Sequence, residues 1–360
     1  MFPLVIAVFP WLVLLLVAYL LLTEPPRELD STSWRSSFLF LIGRVLLRAC
    51  VRRQGVLPPG WALEGDKVKM DEDTKRTLSA VWRGWKLDPD VFARYCQACG
   101  ISPSSNPGVA SASDPFLYPE TLFLRHMIAI VTTTSFPVSP LGLIHLRQTV
   151  ETQCALSDLL STRCDLCCGV SDMRATDKGF EIDMKCDVYN ASGQIVWSAV
   201  TTLLSRNKAT VEKQGKSNRP PETSQPFSGD IDSYTGKHVD VPDDTGLRYA
   251  AATGDYNPHH LYPRMARLLG YKQPMVHGMW TLAKVLAATQ AGTNPPLRLP
   301  LAMKATFKKP IFIPAQCTIL YTRPTADNEI KFEVRDTEGG EGRRDTEGTT
   351  LHVIGTITST

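Results

Sequence analysis

The sequence predicts an α+β chain of two similar halves behind an N-terminal transmembrane helix. Three observations predict it. Residues 1–23 carry no charge and are dominated by Leu, Val, Ile, Phe and Ala. Two later stretches each read as a helix followed by alternating strands that end in a hairpin. Between them, residues 206–230 are rich in Lys, Ser, Pro, Asn and Gln and lack periodicity, as a linker would.

The first 23 residues are long enough to span a hydrocarbon core, which takes about 20 apolar residues. No Lys or Arg precedes the run, and Leu20-Leu21-Leu22 offers no small-residue cleavage site. The segment therefore reads as an anchor rather than a cleaved leader. Arg27, Arg35, Arg44, Arg48, Arg52 and Arg53 follow it against Glu24, Glu28 and Asp30. That excess places the flank, and the folded part beyond it, on the cytosolic side of an endoplasmic reticulum or other organelle membrane. Residues 24–59 form a basic juxtamembrane segment. Within it Ser37–Val51 is amphipathic, with Arg44 and Arg48 one helical turn apart and expected at lipid headgroups.

The first half is expected over residues 60–205. Asp88-Pro89-Asp90 caps a short helix that Gly100 ends, and residues 101–114 form a loop. Pro119 suits the first turn of a helix through Val131. Gly142–Glu151 alternates as a strand, and Phe180–Tyr189 with Gln194–Leu204 read as a hairpin about Asn190–Gly193. The second half is expected over residues 231–360. Asp243 or Asp244 caps a helix through Ala252, and a longer helix runs from His277-Gly278 to about Gln290. Strands follow at Ala302–Lys308, Cys317–Thr322, Ile330–Asp336 and Thr349–Thr358, with a loop over Asp336–Gly348.

Outside its N-terminal extension the chain is balanced in charge, so no basic surface invites nucleic acid. Nine scattered cysteines are an odd number and make no disulfide framework. Cys96/Cys99 and Cys164/Cys167 have a zinc-like spacing, but the second pair lacks the accompanying turn glycine. Reduced thiols are the simpler reading.

The chemistry concentrates in Tyr249-Ala-Ala-Ala-Thr-Gly-Asp-Tyr-Asn-Pro-His-His260 and in Pro274-Met-Val-His-Gly-Met-Trp-Thr281. Gly254 can end a helix in the left-handed conformation, and Asn257-Pro258 forces a turn. Such a turn brings Asp255 and His260 to one side, where a carboxylate and an imidazole can hold and polarise a water. These segments resemble the Gly-Asp-x-Asn-Pro-x-His signature and following His-Gly of the MaoC-like, R-specific enoyl-CoA hydratases. The looser likeness of Tyr118–Met127 and Leu141–Arg147 to a non-catalytic repeat extends the resemblance over about residues 60–360.

The resemblance implies a double hotdog: two long helices, each wrapped by a curved antiparallel sheet. It implies reversible hydration of a trans-2-enoyl-CoA to an (R)-3-hydroxyacyl-CoA. Asp255 and His260 would act on the water, Asn257 would orient them, and the Gly278 N–H would meet the thioester carbonyl. Tyr256, His277, Lys308 and Lys309 are the expected substrate contacts, the lysines toward the CoA phosphates. The expected partner is a medium- or long-chain acyl-CoA; no cofactor or metal is implied, and a homodimer is allowed. The position before the catalytic histidine is usually aliphatic in the family and is His259 here. His259, His260 and His277 are poorly disposed as metal ligands, since adjacent histidines in a turn rarely converge on one ion. His126 and His145 are expected to be structural. The competing readings are a hotdog thioesterase and a non-catalytic membrane scaffold binding acyl lipids.

Overall fold

The computed structural model describes residues 61–101, 115–154, 162–206, 234–292, 297–337 and 349–359, with isolated positions between 23 and 57. The anchor, the linker and most of the Asp336–Gly348 loop lie outside the described residues. Among the described residues no helix is long and apolar enough to cross a membrane.

The two halves repeat one plan. In the first, β1 (Leu63–Glu64) and β2 (Lys67–Val68) form a small hairpin, followed by α1 (Glu72–Thr77) and β3 (Ser79–Trp85). Then come α2 (Pro89–Cys99), α3 (Tyr118–Val131), β4 (Ile144–Thr152), β5 (Cys164–Thr176), β6 (Gly179–Tyr189) and β7 (Ile195–Arg206). In the second, β8 (Tyr234–Val241) leads to α4 (Thr245–Thr253), a 3-10 turn (Pro258–His260), α5 (Pro263–Leu268) and α6 (Gly278–Gly292). Four strands close it: β9 (Leu301–Phe307), β10 (Ala315–Thr322), β11 (Glu329–Asp336) and β12 (Leu351–Ser359).

From the middle outward the first half runs β4-β7-β6-β5-β3 and the second runs β9-β12-β11-β10-β8. The halves meet where β4 pairs antiparallel with β9, with Val150 opposite Met303. The described strands therefore make one continuous twelve-stranded antiparallel sheet. The long helices α3 and α6 occupy equivalent places in the repeat, and this is the hotdog arrangement expected from the sequence.

Local chemistry explains the elements. Asp88 accepts the amides of Asp90 and Val91 at the start of α2, and Gly100 (φ 63°) closes it. Inward positions alternate along β10, where Cys317, Ile319 and Tyr321 are buried. In β5, Cys164, Leu166, Cys168 and Val170 take the same inward alternation, so the cysteines serve as small apolar residues. Cys164 and Cys167 stand at opposite parity on that strand, which removes the zinc reading. Across the halves, Trp280 of α6 donates its indole N–H to the Ala98 carbonyl of α2 at 3.0 Å, and Tyr95 lies 6.2 Å from Tyr249.

The arginines of the juxtamembrane segment depart from expectation. Arg44 and Arg48 are buried; Arg44 bonds to Thr23, and Arg48 donates to the Thr132 carbonyl at the end of α3 (3.3 Å). A helix C-terminus leaves its last carbonyls unsatisfied, so a guanidinium is a natural partner there, and protein rather than headgroups surrounds the pair.

Candidate active site

The site is built where α4 ends. Gly254 takes φ 80° as the helix cap, a conformation costly for residues with a Cβ, and it turns the chain so that Asp255 leaves the helix axis. The Thr253 hydroxyl accepts the Asp255 amide at 3.2 Å. One Asp255 carboxylate oxygen accepts the Asn257 amide at 3.2 Å, and the Asn257 carbonyl accepts the His260 amide at 3.0 Å. Asn257 thus links the acid and the imidazole through its main chain, with its side chain exposed.

His260 Nδ1 lies 2.7 Å from the Met275 carbonyl. A carbonyl only accepts, so Nδ1 carries the proton and Nε2 keeps its lone pair. Burial, and then the neighbouring His277 and His259, hold the ring's pKa well below the usual imidazole range. His260 is therefore a neutral base at neutral pH.

His277 closes the inner wall. It is 2 % exposed, stacks on His260 with centroids 3.8 Å apart, and donates Nε2–H to the Asp255 carbonyl at 3.0 Å. Burial lowers its pKa to about 3. His277 is packed behind the pair, where it holds the Asp255 backbone. Asp255, His260 and His277 offer ligand atoms within 4.8 Å of one another. The His277 nitrogen facing that space is committed as a donor, so the cluster suits proton transfer better than a cation.

Gly278 is the first residue of α6, where the amide N–H has no partner within the helix. A Cβ there would stand 2.8 Å from the Phe307 ring, so glycine alone lets the helix start against β9. Phe307 in turn packs on His145 from β4, with centroids 4.6 Å apart. His145 Nε2 donates to Gln148 at 2.8 Å, and burial brings its pKa down to about 4. The first half thus contributes a neutral imidazole behind Phe307.

Tyr256 is half exposed beside the catalytic turn. Lys308 and Lys309 are exposed past the end of β9, their amides taken by the His352 carbonyl at 2.8 and 3.4 Å. Partial burial, then the charges of Lys178 and Arg147, lowers the Lys308 pKa. Arg147 is paired with Glu181. Arg147 and His145 reach this region on β4, whose pairing with β9 joins residues far apart in the chain. His259 packs tilted against His260 with ring centroids 4.1 Å apart, and its pKa too is lowered, first by burial. A cavity of about 10 Å³ under α6, lined by Val239, Val241, Trp280, Ile311 and Cys317, has room for roughly one water and no acyl chain.

Comparison with known proteins bears on the family and the fold. Residues 214–343 match the model of the MaoC like domain. The chain is 27% identical over 233 residues to 3-hydroxyacyl-thioester dehydratase X of Mycobacterium tuberculosis, covering 64% of this chain and 74% of that one. It is 42% identical over 67 residues to the peroxisomal multifunctional enzyme type 2 of Drosophila melanogaster, which is 18% of this chain and 11% of that one. The crystal structure of a MaoC-like dehydratase from Phytophthora capsici superposes with TM-score 0.63 at 18% identity, over 81% of this chain and 98% of that one. That of HtdX of Mycobacterium tuberculosis gives TM-score 0.57 at 21% identity, over 78% and 100%. Residues 214–343 are thus a MaoC-like dehydratase domain, in a chain similar to 3-hydroxyacyl-thioester dehydratase X.

Proposed function

We propose that this lyase hydrates a trans-2-enoyl-CoA reversibly to an (R)-3-hydroxyacyl-CoA at the turn carrying Asp255 and His260. The observation that carries the reading is the tautomer of His260. Its Nδ1–H is spent on the Met275 carbonyl, which leaves a basic Nε2 in the same small volume as the Asp255 carboxylate. A water held between them would lose a proton to the pair as its oxygen bonds to C3. The electrons of the double bond move toward the thioester oxygen, which the free Gly278 N–H at the start of α6 would receive. The pair then returns a proton to C2. Dehydration runs the same steps backward. Lys308 and Lys309, with Lys178 nearby, would meet the CoA phosphates.

The uncharged residues 1–23 and the arginines after them support a single-pass anchor with the catalytic part facing the cytosol. Asn190-Ala-Ser192 should then remain unglycosylated in a eukaryotic cell, and a glycan on Asn190 would reverse that topology.

The test is to give the detergent-solubilised full chain crotonyl- to hexadecenoyl-CoA and follow loss of the enoyl absorbance. Conversion to the (R)-alcohol is expected. Release of free CoA without hydration, or formation of the (S)-alcohol, would refute the assignment.

A further inference from the structure

A second cluster of chemistry-bearing side chains lies outside the active site. Cys317 on β10 stands opposite Asp336 on β11 in the strand register. On the other side of β11 the register with β12 breaks: Val334 faces Val353 and Arg335 faces Leu351, so His352 is an extra residue. A bulge of this kind re-aims a side chain, and here it interrupts the inward–outward alternation of β12 and buries His352 to 4 %. The result brings Cys317, Asp336 and His352 together, with one ligand atom of each within 4.8 Å of the others.

The hydrogen bonds decide what this cluster can hold. His352 Nδ1 lies 3.2 Å from the Lys309 carbonyl, which can only accept, so Nδ1 carries a proton and Nε2 is the nitrogen turned to Asp336. Nε2 faces an Asp336 carboxylate oxygen 2.6 Å away. A ring nitrogen and a carboxylate oxygen that close share either a proton or a metal cation. A histidine whose far N–H is fixed by a backbone carbonyl is the usual support for a metal ligand. The contrast with the active site is direct, since there the His277 nitrogen facing the carboxylate is spent on a carbonyl.

We propose that Cys317, Asp336 and His352 form a divalent-metal site, zinc by the chemistry of its donors, that clips β10, β11 and β12 together. One sulfur, one imidazole nitrogen and one carboxylate oxygen suit a borderline-soft tetrahedral ion and disfavour magnesium and calcium. With bonds near 2.0–2.1 Å, tetrahedral geometry places the nitrogen and oxygen about 3.3 Å apart, so the carboxylate moves back by less than 1 Å as the ion enters. Asp336 keeps 32% of its side chain exposed, which gives the ion an entry path and leaves a fourth position toward solvent. The His352 carbonyl also takes the amides of Lys308 and Lys309, so the clip steadies the end of β9 as well.

The test uses the detergent-solubilised full chain, stripped with a chelator and titrated with zinc(II) and separately with cobalt(II). One zinc per chain should bind and raise the melting temperature by about 5 °C or more at a hundredfold excess over the dissociation constant. Cobalt should give a thiolate-to-metal charge-transfer band that Cys317→Ser abolishes. His352→Gln and Asp336→Asn should each weaken zinc by at least tenfold; Asp336→Asn, being partly exposed, guards against a variant that fails to fold. Absence of stoichiometric zinc binding would show that a proton alone sits between the pair and would overturn the proposal. So would zinc binding that all three substitutions leave unchanged.

Discussion

At the scale of single residues, the catalytic reading makes Asp255 and His260 inseparable, because each holds one side of the same water. Asp255→Asn and His260→Ala should each lower kcat/KM on the order of 10²–10⁴-fold with the fold intact, as measured by enoyl absorbance and circular dichroism. The two losses should not add, since either change empties the same water position. The acid limb of the pH profile carries a second check. His260 must be neutral to accept a proton, and burial keeps it neutral below the ordinary imidazole value of 6.5. Activity should therefore persist as pH falls through 6.5, and a limb centred at or above that value would contradict the role. His126 of α3 offers a stability prediction. It is 0 % exposed, and burial lowers its pKa from 6.5 to about 4. The unfolded chain then binds the extra proton first, so this contribution is complete above pH 6.5 and is lost as pH falls toward 4. The amount is on the order of 3 kcal/mol. Urea unfolding of His126→Leu should lack that part of the acid destabilisation; an unchanged pH dependence would dismiss it. Sequence spacing indicated Asp255 and His260 because they share one short turn. Spacing left no mark of the burial of His277 behind the His260 ring, because that burial is a property of packing.

At the scale of elements, the catalytic turn depends on how closely α4 approaches it. A Cβ on Gly246 would stand 2.0 Å from the His260 carbonyl oxygen, a backbone atom that cannot swing away. Gly246→Ala should shift the turn and cut kcat more than tenfold, since misplacements of about 1 Å are costly in a pre-organised site. Gly193→Ala makes the control: its φ is 76° but no atom lies within 4 Å, so it should cost only about 1 kcal/mol of stability and leave turnover unchanged. Equal kinetic effects of the two would sink the argument. Helices α2, α3, α4 and α6 were legible from capping residues, prolines and glycines, which act locally. Strands β3 and β8 were not. β8 is an outer strand with most of its residues exposed, so it lacks the alternation that marks a half-buried strand. β5 was missed because its inward positions are filled by cysteines that invite a ligand reading.

At the scale of the whole molecule, the halves share a sheet through β4 and β9 and interlock where Trp280 bonds to Ala98. Neither half can open without exposing a long strand edge and an apolar helix face. The described fold should melt in one transition, with the signals of Trp197 in the first half and Trp280 in the second changing together. Separate melting of the two in single-tryptophan variants would show independent domains.

By itself the sequence determined the α+β class, the two-part plan and the helices that caps and glycines mark, because caps, turns and alternation act over a few residues. Only the tertiary structure decided which cations flank Lys308, that His145 stands behind Phe307, that Arg48 caps a helix, and that Cys317, Asp336 and His352 share a face. Those meetings depend on strand pairing and a register break between residues far apart in the chain, which no local pattern encodes.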